Sequence, residues 1–348
     1  MSKHDKIKNF NPNSIGDANA NIYGLPFDCD DASLVIIPVP WEVTVSYKSG
    51  TANAPEAIFN ASLQVDLYDP FVKDAWKLGI AMDKVNRKIK AQNLALRKKA
   101  EKYIGMYSDG KDPEKYTPMR KIRDEINEAC KGLNNWVKTE ALKYAGKKKT
   151  VALLGGDHST PLGLMQALAE NHSSFAILQI DAHADLRVAY EGLDFSHASI
   201  MYNALKIPQV KQLVQVGIRD YCEDELNLIN SDKRITTFFD RDLKQRQFEG
   251  KSWASQCEQI IVRLPDKVYL SIDIDGLDPK LCPNTGTPVP GGFEFEQVVY
   301  LIEKLVESKR KIIGFDINEV APAKNNEWDA NVGARLLYRV ANLTLVSK

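Results

Sequence analysis

"FAILQIDAHADLRV", residues 175–188, is the stretch on which the reading of the fold turns. Its first half is a short, nearly unbroken apolar run, the pattern of a strand buried on both faces. Its second half sets Asp181, His183 and Asp185 two residues apart. In extended chain, residues i, i+2 and i+4 share one face. The stretch therefore predicts a buried strand whose carboxyl end presents three ligand-type side chains to one side. Alone, that triad is either a solvated strand end or half of a metal site, and the rest of the chain must supply the other half.

Similar runs recur at "SLVIIPVP" (33–40), "TVALLGG" (150–156), "QLVQVGI" (212–218), "KVYLSIDID" (267–275) and "KIIGFDIN" (311–318). Helix-forming stretches alternate with them at 54–62, about 120–146, 160–170, 196–206, 223–230, 252–263, 294–308 and 331–346. Strand followed by helix, repeated, implies right-handed crossovers. The expected fold is of the α/β class, a three-layer α-β-α sandwich with a mainly parallel sheet. Residues 1–32 are rich in turn formers and read as an N-terminal extension, and 33–348 as a single domain. Within it, "KVNRKIKAQNLALRKKAEKYI" and the turn-rich "SDGKDPEKYTP" read as a helical insertion at about 84–118, packed on the body with a solvated lysine face.

Composition narrows the partners. With 46 basic and 46 acidic residues the formal charge is zero, so no general electrostatic attraction to nucleic acid or an anionic membrane is expected. The apolar runs are too short to cross a bilayer, and the polar first residues carry no secretory pattern. Cys29, Cys130, Cys222, Cys257 and Cys282 are dispersed and read as reduced thiols. The expectation is a soluble cytoplasmic protein.

Open parallel sheets bind ligands beyond the carboxyl ends of their strands. Four of the apolar runs end in polar residues: Asp157 and His158; Asp181, His183 and Asp185; Asp273 and Asp275, with Asp278 beyond; and Asp316, Asn318 and Glu319. Taken singly, "GGDHS" is an ordinary helix cap, and "DIDGLDP" a strand end with a turn that lacks the EF-hand spacing. Taken together they are not ordinary. The chain has five histidines, and His158, His183 and His197 all fall at or beside these ends, leaving His4 and His172 elsewhere. Crowded carboxylates need cations to neutralise them. His158, Asp181, His183, Asp185, Asp273 and Asp275 supply two imidazoles and four carboxylates, matching the charge of two divalent cations. Mixed imidazole and oxygen donors suit manganese, with a similar first-row ion as the alternative. Such paired centres lower the pKa of a water and orient it for attack.

The motifs "GGDHS", "DAHAD", "SIDIDGLDP" and "NEVAP", in that order, resemble the ureohydrolase (arginase/agmatinase) superfamily over roughly residues 33–345. "SGTANAPEAIFNAS" is similar to its N-terminal element, except that Ala54 stands where glycine is usual before Pro55. The resemblance implies two Mn2+ per chain and hydrolysis of a guanidino substrate to urea and an amine. His158, Asp181, Asp185 and Asp273 would hold one ion, and Asp181, His183, Asp273 and Asp275 the other. Asp185 would also accept a proton, Glu319 would pair with the substrate guanidinium, and His197 would shuttle a proton to the departing amine. Asp157 and Asp278 would be structural.

Arginase-type members carry residues reading an α-amino acid where this chain has Arg187 and Cys222. The stretch "DLRVAYEGLDFSHASIM" is closer to agmatinase-like members, so agmatine, giving putrescine and urea, is the expected substrate. Arginine, guanidinobutyrate or another guanidino acid, formiminoglutamate, and guanidine with nickel are the alternatives. An inward Arg187 would favour a carboxylate-bearing substrate; otherwise it forms a surface or interface salt bridge. Outside this chemistry stand a binuclear phosphatase, which Glu319 disfavours, and a non-catalytic relative, which would have lost ligands. A homo-oligomer, trimer or hexamer, follows from the same resemblance.

Overall fold

In a computed structural model that describes residues 2–347, the apolar runs assemble into one sheet with helices on both faces. Its strands are β1 (Leu34–Pro38), β2 (Ile80–Met82), β3 (Thr150–Leu154), β4 (Phe175–Ile180), β5 (Val210–Ile218), β6 (Ile235–Phe239), β7 (Lys267–Asp273) and β8 (Lys311–Asn318). Among the described residues their order is β2-β1-β3-β8-β7-β4-β5-β6, with every neighbouring pair parallel. The six apolar runs are the six inner strands. The apolar pattern foresees neither edge strand: β2 has three residues, and "ITTFF" of β6 is mostly half-buried. An edge strand is covered on fewer sides and does not need a continuous apolar run.

The helices are α1 (Lys3–Asn9), α2 (Ala54–Ser62), α3 (Arg87–Ser108), α4 (Thr117–Gly146), α5 (Leu162–Asn171), α6 (Ile200–Ala204), α7 (Glu223–Ser231), α8 (Asp240–Phe248), α9 (Trp253–Ile261), α10 (Phe295–Glu307) and α11 (Trp328–Val346). Alternate strand residues divide between two cores. Leu34, Ile36, Leu178, Ile180, Leu270 and Ile272 pack with α2 and α8 to α11, while Val35, Ile37, Leu153, Ile177 and Tyr269 pack with α3 to α7. The chain is thus a three-layer α-β-α sandwich. In α10, Val298, Val299, Leu301, Ile302, Leu305 and Val306 are buried, the stripe a helix of period 3.6 lays on a sheet.

The N-terminal segment is attached to this frame: Ile22, Tyr23, Leu25 and Phe27 enter the first core, and the Tyr23 hydroxyl donates to Ala334 O at 2.9 Å. It also holds α1, which the turn-rich composition does not suggest; Ser2 and Asp5 cap that helix reciprocally. Helix α3 likewise packs on the body, burying Leu96, Ala100 and Tyr103 in the second core beside α4. Among the described residues no helix is long and apolar enough to cross a membrane. All five cysteines are free thiols.

Candidate metal centre

Strand order gathers the polar ends. β3, β8, β7 and β4 are contiguous in the sheet, so their carboxyl ends form one shelf, with Leu154 level with Ile317, Asn318 with Asp273, and Ile272 with Ile180. Asp181 follows β4, Asp273 closes β7, Asp275 sits in the tight turn beyond it, and Glu319 follows β8. The turns are compact enough to require glycine. A Cβ on Gly276 would lie 2.8 Å from Asp181 N, and one on Gly156 only 1.8 Å from Trp41 O. Asp185 and Glu319 adopt left-handed backbone, at φ 54° and 62°. That conformation costs about 1–3 kcal/mol per residue and collects at functional sites.

The side chains converge. His158 Nδ1 is 3.0 Å from Asp181 Oδ2, 3.0 Å from Asp185 Oδ2 and 3.3 Å from Asp273 Oδ2. His183 Nδ1 is 3.0 Å from Asp275 Oδ2 and 3.7 Å from Asp181 Oδ1. Two sets of donor atoms, His158–Asp181–Asp185 and Asp181–His183–Asp275, each lie within 4.8 Å and share Asp181. Asp273 stands beside His158 without joining either tight set.

The donor set fits divalent cations. His158 Nε2 lies 2.9 Å from Ser271 Oγ, which itself donates to Asp316 Oδ1 at 3.1 Å. The serine proton being committed, Nε2 carries a hydrogen and Nδ1 faces the carboxylates. Against the effect of burial, Asp181, Asp185 and Asp273 raise the His158 pKa well above the usual imidazole range, and a cation bound among them would take the Nδ1 lone pair in place of the added proton. That nitrogen is buried and makes no properly aligned hydrogen bond among the described residues. Burial, and then the charge of Asp181, push the Asp185 carboxyl up to about 7. Burial, with Asp275 and Asp181 beside it, raises Asp273 well above the carboxylate range. Bare, the four carboxylates cannot all ionise; two divalent cations let them.

A layer of polar residues behind the cluster holds it, and the apolar pattern does not reveal their role. The Thr237 hydroxyl donates to Gln215 Oε1 at 2.7 Å, Gln215 Nε2 to Gln179 Oε1 at 2.7 Å, and Gln179 Nε2 to Asp181 Oδ2 at 2.8 Å. This chain of hydrogen bonds crosses from β6 through β5 to β4. Its one sequence signal is a glutamine inside each of two otherwise apolar runs; a buried amide must find partners. Asp157 accepts the Thr44 hydroxyl at 3.0 Å, and Asp278 accepts Lys280 N at 3.0 Å.

The remaining residues line the cleft above. Glu319 is 6% exposed and accepts His158 N at 2.9 Å, but has no ion-pair partner among the described residues. Burial, and then Asp157, raise it well above the usual range. His197 has its backbone N–H on Thr44 Oγ1 at 3.2 Å and meets Tyr190 edge-on at 6.0 Å. Burial and then His183 lower its pKa to about 4, so its imidazole is neutral at pH 7. Arg187 does not lie free. Its guanidinium stacks 4.8 Å from the Tyr190 ring, and Nε is 3.8 Å from buried Glu225 Oε2. Ser46, Asp220, Tyr221 and Thr287 complete the wall.

A model of the arginase family matches residues 32–342. The chain belongs to the arginase family. N(1)-aminopropylagmatine ureohydrolase of Thermus thermophilus is 32% identical over 315 residues, 90% of this chain and 91% of that protein. Agmatinase of Pyrococcus horikoshii is 28% identical over 318 residues, covering 91% and 94%. The crystal structure of agmatine ureohydrolase of Thermoplasma volcanium aligns at TM-score 0.69 and 22% identity, covering 98% of this chain and 97% of that one, and shows the shared fold. As an arginase-family member the chain is an amidinohydrolase, from a family that depends on a binuclear metal centre.

Proposed function

We propose that this arginase-family enzyme hydrolyses agmatine to putrescine and urea, using two Mn2+ ions, with Ni2+ as the alternative metal. The observation that carries the reading is Glu319, a buried carboxylate with no cationic partner among the described residues, placed beside the donor cluster. A substrate guanidinium supplies that partner, with the planar geometry a carboxylate matches in two hydrogen bonds. The far end of the cleft supports an amine rather than a carboxylate tail. Arg187 lines this cleft, the inward placement that by itself would favour a carboxylate, but Glu225 at 3.8 Å and the Tyr190 ring offset its charge, and Asp220 adds negative charge to the same wall.

In this reading His158, Asp181, Asp185 and Asp273 would hold one ion, and Asp181, His183, Asp273 and Asp275 the other. When bound, the ions lower the pKa of a water and neutralise developing negative charge. Glu319 fixes the guanidinium carbon against the donor shelf, which removes the entropy of a chance encounter. Asp185 accepts the proton released by the attacking water. His197, neutral and at the cleft wall, gives the departing amine nitrogen a proton from one ring nitrogen as the other takes up a proton in exchange, so the ring carries the same charge before and after. Asp185 returns its own proton before the next turnover. We place the enzyme in the cytoplasm, in keeping with its free thiols, as a trimer or hexamer, as the superfamily resemblance suggests.

The name of the Thermus relative motivates a second reading, N1-aminopropylagmatine, whose additional amine the acidic wall would also accept. Urea release from agmatine, N1-aminopropylagmatine, arginine, guanidinobutyrate and guanidine, each with Mn2+ or Ni2+, separates them. The amine-tailed substrates are expected to exceed guanidinobutyrate and arginine by at least about tenfold in kcat/KM. Preference for a carboxylate-bearing substrate would overturn the reading of Arg187, and no urea from any would overturn the substrate class.

A further inference from the structure

Two irregular loops, 42–50 and 187–196, contribute Ser46, Arg187 and Tyr190 to the cleft wall. The first carries Thr44, which touches both Asp157 and the His197 backbone, and Ser46, which lines the cleft. The second carries Arg187 and Tyr190. Residues 42–45 are buried although they belong to no helix or strand. Backbone groups so placed need partners from elsewhere in the fold.

Helices α3 and α4 provide them. Asn93 Oδ1 accepts Glu42 N at 2.7 Å. One turn on, Arg97 donates through Nε to Ser49 Oγ at 3.0 Å, and through Nη1 to Val43 O at 3.3 Å and to Val45 O. The Arg97 side chain is 10% exposed, and its ion-pair partner, Glu101 on the same helix, is mostly solvated. Its fork is therefore aimed mainly at the loop. On the second loop the Tyr103 hydroxyl donates to Glu191 O at 2.7 Å. Asn127 of α4 donates to Gly192 O at 3.4 Å and accepts Asp194 N at 3.0 Å. Here the backbone is constrained as well: Glu191 and Gly192 are both left-handed, at φ 53° and 77°.

We infer that α3 and α4 form a built-in clamp on the substrate cleft, in which Asn93, Arg97, Tyr103 and Asn127 are positioning residues for its two walls. Helix α3, which reads in sequence as an insertion, thus bonds to both loops through Asn93, Arg97 and Tyr103, and α4 adds Asn127 to the second. The candidate metal donors stand at the strand ends, and among the described residues no hydrogen bond joins Asn93, Arg97, Tyr103 or Asn127 to them, so the clamp governs how substrate is received more than how metal is held. This rests on the proposed function for its kinetic consequence, though not for its structural one.

The test pairs hydrogen–deuterium exchange with steady-state urea release from agmatine. Arg97→Met keeps the packed stem and removes the fork; Arg97→Lys keeps the charge without the multiple donors. Tyr103→Phe removes one hydroxyl from the other wall and is mild enough to fold. Lys99→Ala, on the exposed face of α3 where Lys99 pairs with Glu125, is the control. Arg97→Met is expected to speed exchange of amides in 42–50 and raise KM about tenfold or more, with kcat changed less than about threefold and both metal ions retained. Arg97→Lys should fall between it and wild type. Tyr103→Phe should speed exchange in 187–196, and Lys99→Ala should change nothing. A merely destabilised protein would show a smaller active fraction, hence lower kcat at unchanged KM, and that pattern overturns the clamp. So does unchanged exchange in both loops, or faster exchange with unchanged KM. If wild type releases no urea from any guanidino substrate, the proposed function fails, and exchange alone then decides the clamp.

Discussion

Replacing Glu319 by glutamine should lower activity and raise the stability of the metal-free protein, an opposition that few other mechanisms produce. Glutamine is nearly isosteric and its Oε1 can still accept His158 N, the bond the carboxylate makes at 2.9 Å. It removes the charge and turns an N–H toward the guanidinium, so the ion pair is replaced by a clash of donors. Breaking one side of a buried charge pair costs about 3–5 kcal/mol, which corresponds to a fall of about 10²–10⁴-fold in kcat/KM for urea release. The stability effect has the opposite sign. Burial and Asp157 raise the folded-state pKa of Glu319 well above its ordinary 4.5. Above pH 4.5 the unfolded chain has released a proton that the folded chain keeps, so this group's contribution falls as pH rises, by about 1.4 kcal/mol per unit until the folded pKa is passed. Glutamine removes that penalty. For a chain of 348 residues each kcal/mol moves Tm by roughly 1–2 °C. The metal-free variant should therefore melt above wild type, with a gap that opens from pH 5 to pH 8. Coupled-assay kinetics, metal content by mass spectrometry and calorimetry across that range test it. A loss under tenfold with both ions present, or a metal-free variant less stable than wild type throughout, would refute the reasoning.

The donor shelf makes further predictions. Asp181→Ala removes the carboxylate shared by both tight donor sets and should abolish bound metal and urea release together; a variant that keeps two ions per chain would contradict the shared role. Gln179→Leu strips Asp181 of its 2.8 Å amide donor and should weaken metal affinity about 10–100-fold and stability by about 1–3 kcal/mol, read by metal titration and denaturant melts. His197→Asn should reduce kcat about 10²–10³-fold with both ions retained. Because His197 is neutral down to about pH 4, protonation of its ring should not set any acid limb that wild type shows above pH 5.

The inner sheet is legible in the sequence because its signals are local. An apolar run such as 175–180 must be buried wherever it goes, and alternation then puts Asp181, His183 and Asp185 on one side. The edge strands β2 and β6 carry weaker versions of that signal, and α1 is a short helix specified mainly by its Ser2 and Asp5 cap. Glu319 is visible through its motif, yet nothing in "NEVAP" says that it lacks an ion-pair partner among the described residues. For Arg187 the sequence is compatible with an inward and an outward role; the fold sets it in the cleft wall beside Glu225, distant in sequence, and Tyr190, near in sequence. What the amino-acid sequence determined by itself was which side chains stand at which strand ends, since that depends only on period and residue type. What the tertiary structure decided was their neighbours. β3 and β4 follow one another in the chain but are separated in the sheet by β8 and β7, and this interposition brings His158, Asp181, Asp273 and Glu319 to one shelf. Strand order follows from the packing of whole βα units, a non-local choice that no window of sequence contains.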